Sequence, residues 1–594
     1  MNQTNILLVP ILLTLIVGCA SRKETAVDAV ASEPTKIDQF SDLDRGKILT
    51  NERIEESQVA AESYDLAVAP VAALAPVAQL NHVREKSKKR EAKRIAHFAQ
   101  PAGVMNSIAP PESPSYGYYD DGRENYASVA QSNIKQVTEN PVSTFSIDVD
   151  TGSYTNIRRM LRQGAMPPVD SVRVEEMINY FDYSYETPNS KQAPIGFHTE
   201  LAASPWSANH VLLKVGLKGY EPPVEQRPAS NLVFLLDVSG SMNSPDKLPL
   251  LKRSLILLSN QLDDEDTVSI VVYAGASGLV LEPTNGNQTA QIEEALNNLA
   301  AGGSTNGKAG IELAYQLAKR NFDPEGINRV ILATDGDFNV GTTGVDSLKK
   351  LIEQKREEGI SLTTLGFGTG NYNDELMEQL ADVGNGNYAY IDGLNEARKV
   401  LVEELSSTLM TIAKDVKIQL EFNPNIVKEY RLLGYENRVL AREDFNNDKV
   451  DAGEIGAGHT VTALYELVLH GSDSHRVDPL RYQNEPSVQT MPKDQLSKEL
   501  AFIKFRYKAL NSTKSQLITR PIIMPKQIIG FENASEDFRF SATVAEFGEV
   551  LRHSKYISGV DYEAMIQHAL NARGSDYFGY RSEFIQLLRL ASNL

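Results

Sequence analysis

The spacing of apolar residues predicts a long segment in which strands and helices alternate. It begins after Pro228, where short apolar runs are followed by stretches whose apolar residues recur every three or four positions. The predicted order is strand 231–236, helix 247–262, strand 267–273, strand 278–282, helix 289–300, helix 307–320, strand 329–334, helix 346–358, strand 361–367, helix 373–383, strand 387–391 and helix 395–413. Such an order predicts a doubly wound α/β sheet that is mainly parallel.

On both sides of this segment apolar residues alternate with polar ones, as they do in half-buried strands. The alternation covers Val416 to Phe422, Val461 to Leu469 and Ile503 to Tyr507, and an earlier strand is predicted from Val211 to Leu217. We therefore expect the α/β unit to be flanked by, or inserted into, a β-sandwich-like domain. Pairing between the strand at 211–217 and a strand beyond residue 415 would support insertion.

Helices are predicted at both ends of the folded region. A strand from Thr144 to Asp150 precedes a helix from Tyr154 to Gln163, and the chain turns helical again from Ser535. The apolar stripes of this last region are Phe540, Val544, Phe547 and Leu551, then Phe584, Leu587 and Leu588. We expect them to pack a helical C-terminal region rather than to form a site.

The composition fits a folded bulk with several cores. Of 594 residues, 41% are hydrophobic and 23% are charged, close to the averages of soluble globular proteins. The formal net charge of −19 opposes binding to phosphate backbones. Nucleic acid is therefore not an expected partner.

The first residues resemble the export signal of a bacterial lipoprotein. Ile6 to Val17 is an apolar run too short to span a bilayer, and it leads into Gly18 and Cys19, the only cysteine of the chain. The similarity to a lipobox implies a signal peptide at 1–18 and acylation of Cys19, palmitate included. Met1 to Asn5 departs from the pattern because it lacks a basic residue. The alternative is an ordinary cysteine after a cleavable signal.

Residues 19–139 have the composition of a tether. Ala67 to Pro76 is low in complexity, and the basic stretch from Arg84 to Arg94 is either a solvated linker helix or a contact for anionic lipid or cell-wall polymer. Ala20 after the acylated position resembles the outer-membrane sorting pattern of Gram-negative bacteria. We therefore expect a cell-envelope protein that is lipid-anchored to a bacterial membrane, the outer one in such a host.

A carboxylate and two hydroxyls stand at alternate positions where the first apolar strand of the α/β unit ends. They belong to Asp237, Ser239 and Ser241, and in an extended chain this spacing points all three to one side. Two further side chains with oxygen atoms lie at the ends of predicted elements. Thr305 lies at the start of a helix, and Asp335 directly follows a strand. Carboxylates and hydroxyls suit a hard divalent cation, and open α/β sheets bind ligands at this edge.

With these five residues the segment resembles the von Willebrand factor A (VWA) domain and its metal-ion-dependent adhesion site (MIDAS). The resemblance implies that Asp237, Ser239, Ser241, Thr305 and Asp335 surround Mg²⁺ directly or through water, with Mn²⁺ or Ca²⁺ as alternatives. It also implies one open coordination position, which accepts an acidic side chain of a protein partner. The expected function is therefore metal-dependent adhesion without catalysis.

The flanks carry a second resemblance, to bacterial YfbK-like lipoproteins with a VWA domain. The matching segments are Asn140 to Tyr154, Val172 to Phe181, Asp448 to His459 and Asp537 to Phe540. The resulting organisation is a signal peptide at 1–18, a lipidated tether at 19–139, an N-terminal α/β flanking module at 140–227, the VWA domain at 228–413, a β-rich domain at 414–525 and a helical C-terminal region at 526–594.

Competing chemistry has little support in the residues. Gly302 to Ala309 nearly spells a phosphate-binding loop, but Ala309 replaces the hydroxyl residue that should hold Mg²⁺. There is no histidine between His210 and His459, so the α/β unit has no imidazole base of its own. Two alternatives stay open: a hydrolase that acts through metal-bound water, and an envelope scaffold whose metal is only structural.

Overall fold

The computed structural model describes residues 124–128, 130–223, 226–274, 277–303, 307–336, 344–472, 476–477 and 498–594. The strands are, in chain order, β1 (Lys135–Gln136), β2 (Val142–Ser146), β3 (Ile195–Ala203), β4 (Val211–Gly219), β5 (Ser230–Asp237), β6 (Thr267–Tyr273), β7 (Ser277–Asn285), β8 (Ile327–Thr334), β9 (Ser361–Phe367), β10 (Tyr388–Ile391), β11 (Thr411–Phe422), β12 (Val427–Leu433), β13 (Ile455–Gly456), β14 (Thr460–Leu469), β15 (Glu499–Lys508) and β16 (Ser515–Ile523).

The α-helices are α1 (Gly152–Arg162), α2 (Val174–Asn179), α3 (Leu248–Ser259), α4 (Thr289–Asn297), α5 (Gly307–Arg320), α6 (Gly344–Glu357), α7 (Asp374–Val383), α8 (Leu394–Arg398), α9 (Leu405–Leu409), α10 (Glu536–Leu551), α11 (Tyr562–Asn571) and α12 (Tyr580–Ala591). A π-helical turn at Lys399–Glu403 joins α8 to α9. None of the helices that the structure describes has the length and apolar composition that crossing a bilayer requires.

The α/β unit is built on a six-stranded sheet in the order β10-β9-β8-β5-β6-β7. Its neighbours are parallel except for β7, which runs antiparallel to β6. The central strand β5 is buried on both faces, because Leu232, Phe234 and Leu236 enter one core and Val233 and Leu235 enter the other. A strand covered on both sides reads as an unbroken apolar run. The predicted doubly wound, mainly parallel sheet is confirmed.

Several element boundaries differ from the prediction by a few residues, and two of these differences have a specific cause. The helix predicted to end at residue 413 ends at Leu409, because Thr411 and Ala413 pair with β13 as the first residues of β11. The strand predicted from Thr144 to Asp150 ends at Ser146. Beyond it, Asp148 accepts a hydrogen bond from the backbone N–H of Asp150 at 3.0 Å, which turns the chain towards α1. In both cases a specific contact overrides the local pattern.

Two antiparallel sheets form the sandwich beside the α/β unit. One has the order β1-β12-β14-β4-β3, and in the other β11 pairs with β2, β13 and β15, with β16 next to β15. Val215 and Leu217 of the first sheet share a core with Ile418 and Leu420 of the second. Strand β4 pairs with β14, with Leu217 opposite Val461. Because β4 precedes the α/β unit and β14 follows it, the predicted insertion is confirmed.

The C-terminal helices pack on the helices that open the folded region. The predicted stripe residues of α10 and α12 are buried in one core with Tyr154 and Ile157 of α1 and Met177 of α2. The two stripes therefore serve packing, as predicted.

A buried arginine fastens the α/β unit to both flanks. Arg158 of α1 donates to Asp392 at 2.5 and 2.8 Å, to Glu396 of α8 at 2.8 Å and to Glu583 of α12 at 2.8 Å. Its Nη1 also donates to the hydroxyl of Tyr180 at 2.8 Å. The side chain is only 3% exposed, so these bonds form away from solvent. One residue thus joins three parts of the chain.

Candidate metal centre

The predicted ligands that the structure describes gather where two neighbouring parallel strands end. Asp237 is the last residue of β5, and Asp335 directly follows β8. The two strands are paired in register, with Leu236 opposite Ala333. Both carboxylates therefore emerge at the same edge of the sheet, as the positions of the strands predicted.

The carboxylate of Asp237 is buried and held on both oxygens. Its Oδ1 accepts the backbone N–H of Ser239 at 2.8 Å, and its Oδ2 accepts the hydroxyls of Thr334 at 2.9 Å and Tyr273 at 3.3 Å. Burial raises the pKa of Asp237, hydrogen bonds from Ser239 oppose that rise, and the charge of Asp335 adds to it. A nearby divalent cation would favour the ionised form instead.

Two hydroxyls lie side by side above this carboxylate. The Oγ atoms of Ser239 and Ser241 are 2.9 Å apart. Ser239 is buried, whereas Ser241 lies in a short 3₁₀ turn at Gly240–Asn243 and is exposed. The donors therefore run from the buried strand end outward to solvent, so a molecule in solution can reach this side of the site.

Thr305 lies outside the described residues, which stop at Gly303 and resume at Gly307. The chain leading to it touches the Asp237 loop: Gly302 N–H donates to the carbonyl of Val238 at 2.7 Å, and Gly240 N–H donates to the carbonyl of Gly303 at 3.1 Å. The role of Thr305 as a ligand stays a prediction.

Lys247 is a member of the site that the sequence reasoning missed. Its Nζ lies 2.8 Å from Oδ2 of Asp335 and 3.4 Å from Oδ1 of Asn371. A lysine just before a helix is usually solvated, so nothing in the local pattern pointed to this contact. The lysine supplies a positive charge to a carboxylate that was predicted to bind metal.

The first described residues are bound to the loop that follows β9. Asn125 N–H donates to the carbonyl of Tyr372 at 2.9 Å, and its side chain donates to Asn373 at 3.2 Å, while Gly370 N–H donates to Glu124 at 3.0 Å. The same loop lies against the chain after Asp335. Gly336 has φ +85°, and a Cβ there would lie 2.4 Å from the backbone nitrogen of Asn373. Glu124 and Asn125 are thus bound to a loop that forms one wall of the site.

The residues present fit a hard divalent cation. Asp237, Ser239, Ser241 and Asp335 offer only oxygen atoms, which Mg²⁺, Mn²⁺ and Ca²⁺ prefer. Within the described ranges no group of three or more His, Cys, Asp or Glu side chains is placed to hold a metal ion. The candidate site differs from such clusters because it has two carboxylates and depends on hydroxyls for its other donors.

Acidic residues in two other segments are paired with side chains of the same chain. Asp148 and Asp150 both pair with Arg438, at 3.3 Å each. In the acidic segment from Asp444 to Glu454, Asp448 accepts from the hydroxyl of Ser515 at 2.5 Å. Acidic oxygens in both segments are therefore already engaged by other side chains.

Comparison with known proteins agrees with the α/β architecture. The family model described as von Willebrand factor type A domain matches residues 231–403, and one described as von Willebrand factor matches 120–214. The solved von Willebrand factor type A protein from Catenulispora acidiphila is 16% identical, with a TM-score of 0.36 over 68% of this chain and 92% of that one. The fold and the match at 231–403 define a protein with a VWA domain.

A more similar relative covers most of the chain. The Escherichia coli (strain K12) protein described as "Uncharacterized protein YfbK" is 45% identical over 515 residues, which are 86% of each chain, and the model of the YfbK C-terminal region matches residues 407–594. The chain belongs to the YfbK family. Inter-alpha-trypsin inhibitor heavy chain H3 of Mesocricetus auratus is 24% identical over 41% of this chain and 29% of its own length.

Proposed function

We propose that this protein is a cell-envelope lipoprotein that binds a protein partner through a Mg²⁺-dependent adhesion site on its VWA domain. The observation that carries the proposal is the gathering of Asp237, Ser239, Ser241 and Asp335 at one edge of the sheet. Thr305 is the fifth proposed ligand. Mn²⁺ or Ca²⁺ could take the same place.

The bound cation would supply an electrophilic centre that accepts a carboxylate of the partner. The arrangement of the residues favours such binding. Hydrogen bonds fix both oxygens of Asp237, and the exposed Ser241 leaves the outer side of the site accessible to a partner. The net charge of −19 repels an acidic partner at long range. Recognition of an acidic group by this chain should therefore depend strongly on the cation.

We propose binding rather than catalysis because the sequence has no histidine between His210 and His459 that could act as a base in the α/β unit. Membership of the VWA class supports a role in protein interaction. Metal-assisted hydrolysis and a purely structural metal are distinguished from this proposal by the experiment below.

Removing both hydroxyls by the double substitution Ser239→Ala/Ser241→Ala should weaken Mg²⁺ binding and partner capture at least about tenfold, because two oxygen donors are lost. The measurements are calorimetric titration with Mg²⁺ and co-purification from detergent-solubilised membranes, with Mg²⁺ or with EDTA. Ser244→Ala is the matched control, since Ser244 lies in the same loop and donates to Asp246.

Capture that survives both EDTA and the double substitution contradicts adhesion. Turnover of ester or phosphate substrates that disappears in the double variant would indicate a hydrolase. A thermal shift with Mg²⁺ in a protein that captures nothing would indicate a structural metal.

The anchor is a separate part of the proposal. Cys19 lies outside the described residues, and its acylation is proposed from the lipobox resemblance. Cys19→Ser should move the protein from the membrane fraction to the soluble fraction and abolish labelling with a palmitate analogue, because one acyl-bearing residue provides the attachment. Ser21→Ala is the control. A Cys19→Ser protein that stays in the membrane fraction would contradict lipid anchoring through this residue.

A further inference from the structure

Lys247 is held in a fixed place at the rim of the candidate metal centre. It directly precedes α3, and its backbone N–H donates to the carbonyl of Ser244 at 3.1 Å while its carbonyl accepts from Leu251 at 2.8 Å. The side chain is 8% exposed. A lysine this buried loses the hydration of its ammonium group, and specific contacts within the protein must compensate for that cost.

The glycine that directly follows β9 leaves room for the aliphatic part of the Lys247 side chain. Gly368 follows β9 with φ +74°, and a Cβ there would lie 2.3 Å from Cγ and Cε of Lys247. Any other residue at 368 would need both an unfavourable backbone conformation and the space that the stem occupies. The route of Lys247 into the site is therefore built into the fold.

The ammonium group of Lys247 meets a predicted metal ligand. Nζ lies 2.8 Å from Oδ2 of Asp335, whose side chain is fully buried, and Asn371 offers its carbonyl oxygen at 3.4 Å. An ammonium in this position neutralises the buried carboxylate in the absence of any metal. It supplies to Asp335 a positive charge that a bound divalent cation would also supply.

We infer that Lys247 is a tethered cation that competes with the divalent metal for Asp335 and so sets the metal affinity of the site. The inference rests on the proposed metal-dependent function and goes further, because it assigns a residue that limits occupancy. Binding of a divalent cation to Asp335 either displaces the ammonium or leaves two cations on one carboxylate. Both alternatives lower the affinity relative to a site without the lysine.

The test compares divalent binding by the full chain with that of Lys247→Gln and Lys247→Met. Glutamine removes the charge but keeps a polar group that can contact Asp335 and Asn371. The Lys247→Gln variant therefore still tests the inference if Lys247→Met does not fold. Lys308→Gln is the matched control, because it makes the same change in net charge at a side chain that is 47% exposed. Chelator-treated protein is titrated with Mg²⁺ and with Mn²⁺ by calorimetry, and its thermal unfolding is followed in EDTA.

Both Lys247 variants should bind Mg²⁺ at least about tenfold more tightly than the wild-type chain, since close charge pairs carry couplings of that size. In EDTA they should unfold at a lower temperature, because Asp335 has lost its cation, and Mg²⁺ should restore more of their stability than it adds to the wild type. Lys308→Gln should bind as the wild type does.

Equal or weaker binding in the Lys247 variants, with a wild type that binds, would overturn the inference and leave the proposed function intact. In that case Lys247 only positions Asp335. If the wild type and both variants fail to bind either cation, the proposed metal site fails and the inference with it. Binding by the variants alone would support competition and show that the lysine occupies the site in the wild-type chain.

Discussion

Replacing Arg158 by methionine is expected to lower the free energy of unfolding by about 3–5 kcal/mol, as measured by urea denaturation. The substitution removes the positive charge that faces Asp392, Glu396 and Glu583, of which Glu396 is completely buried. Burial raises the pKa of Glu396 and the guanidinium of Arg158 opposes that rise. Without the arginine, the carboxylates must either stay charged in a buried environment that lacks a compensating positive charge or take up protons.

Arg162→Met is the matched control because Arg162 lies one turn later on α1 and also pairs with Glu583, at 2.7 Å. Its side chain is 50% exposed, so solvent screens the pair and the expected loss is below about 1 kcal/mol. Similar losses in the two variants would contradict the view that Arg158 joins the α/β unit to its flanks. Partial recovery is expected when Arg158→Met is combined with Asp392→Asn and Glu396→Gln, since the stranded charges are then removed.

Asp237→Asn is expected to weaken Mg²⁺ binding by about 10–100-fold, which is the usual cost of altering a residue that orients or charges a metal site. The amide keeps the shape of the side chain and can still accept the backbone N–H of Ser239. It removes, however, a negative charge that lies near Asp335. Calorimetric titration with Mg²⁺ measures the change.

The stability of the same variant separates a metal role from a structural one. Because burial raises the pKa of Asp237, its ionised form is disfavoured in the folded protein, and the neutral amide should be tolerated in EDTA. Thermal unfolding should thus be similar to wild type without metal and less responsive to Mg²⁺. Asp246→Asn, in the same loop, should leave the Mg²⁺ affinity unchanged. A large loss of stability in EDTA would indicate that Asp237 mainly holds the fold.

The α/β unit could be predicted because its buried strands appear in the sequence as short, continuous apolar runs. A strand such as β5 is buried on both faces and therefore apolar throughout, so the polar residue that ends it stands out. Asp237 and Asp335 were found in this way, each from its own strand. The insertion was also predictable, since two-residue periodicity marks strands on both sides of the unit.

Contacts between distant residues could not be predicted in this way. Lys247 enters the site only because Gly368 leaves room for its stem, and the two residues lie in different elements. The helix predicted to reach residue 413 ends early because Ala413 pairs with Ile455. In the sequence Arg158 is one charge among several on α1, and only the structure shows that it is buried and paired with three acidic residues. Periodicity describes which face of an element is apolar, not what covers it.

The bonds of Glu124 and Asn125 to the loop after β9 have a mechanical consequence. If the chain is anchored through Cys19 as proposed, a pulling force along it reaches the described residues first at Glu124 and Asn125, and their bonds transmit it to Gly370 and Tyr372. The neighbouring Asn371 contacts Lys247. Tension on the anchor would therefore act on the loop after β9 before it acts on the sheets. The same loop lines the proposed binding site, so tension along the chain and binding of a partner would both act on it.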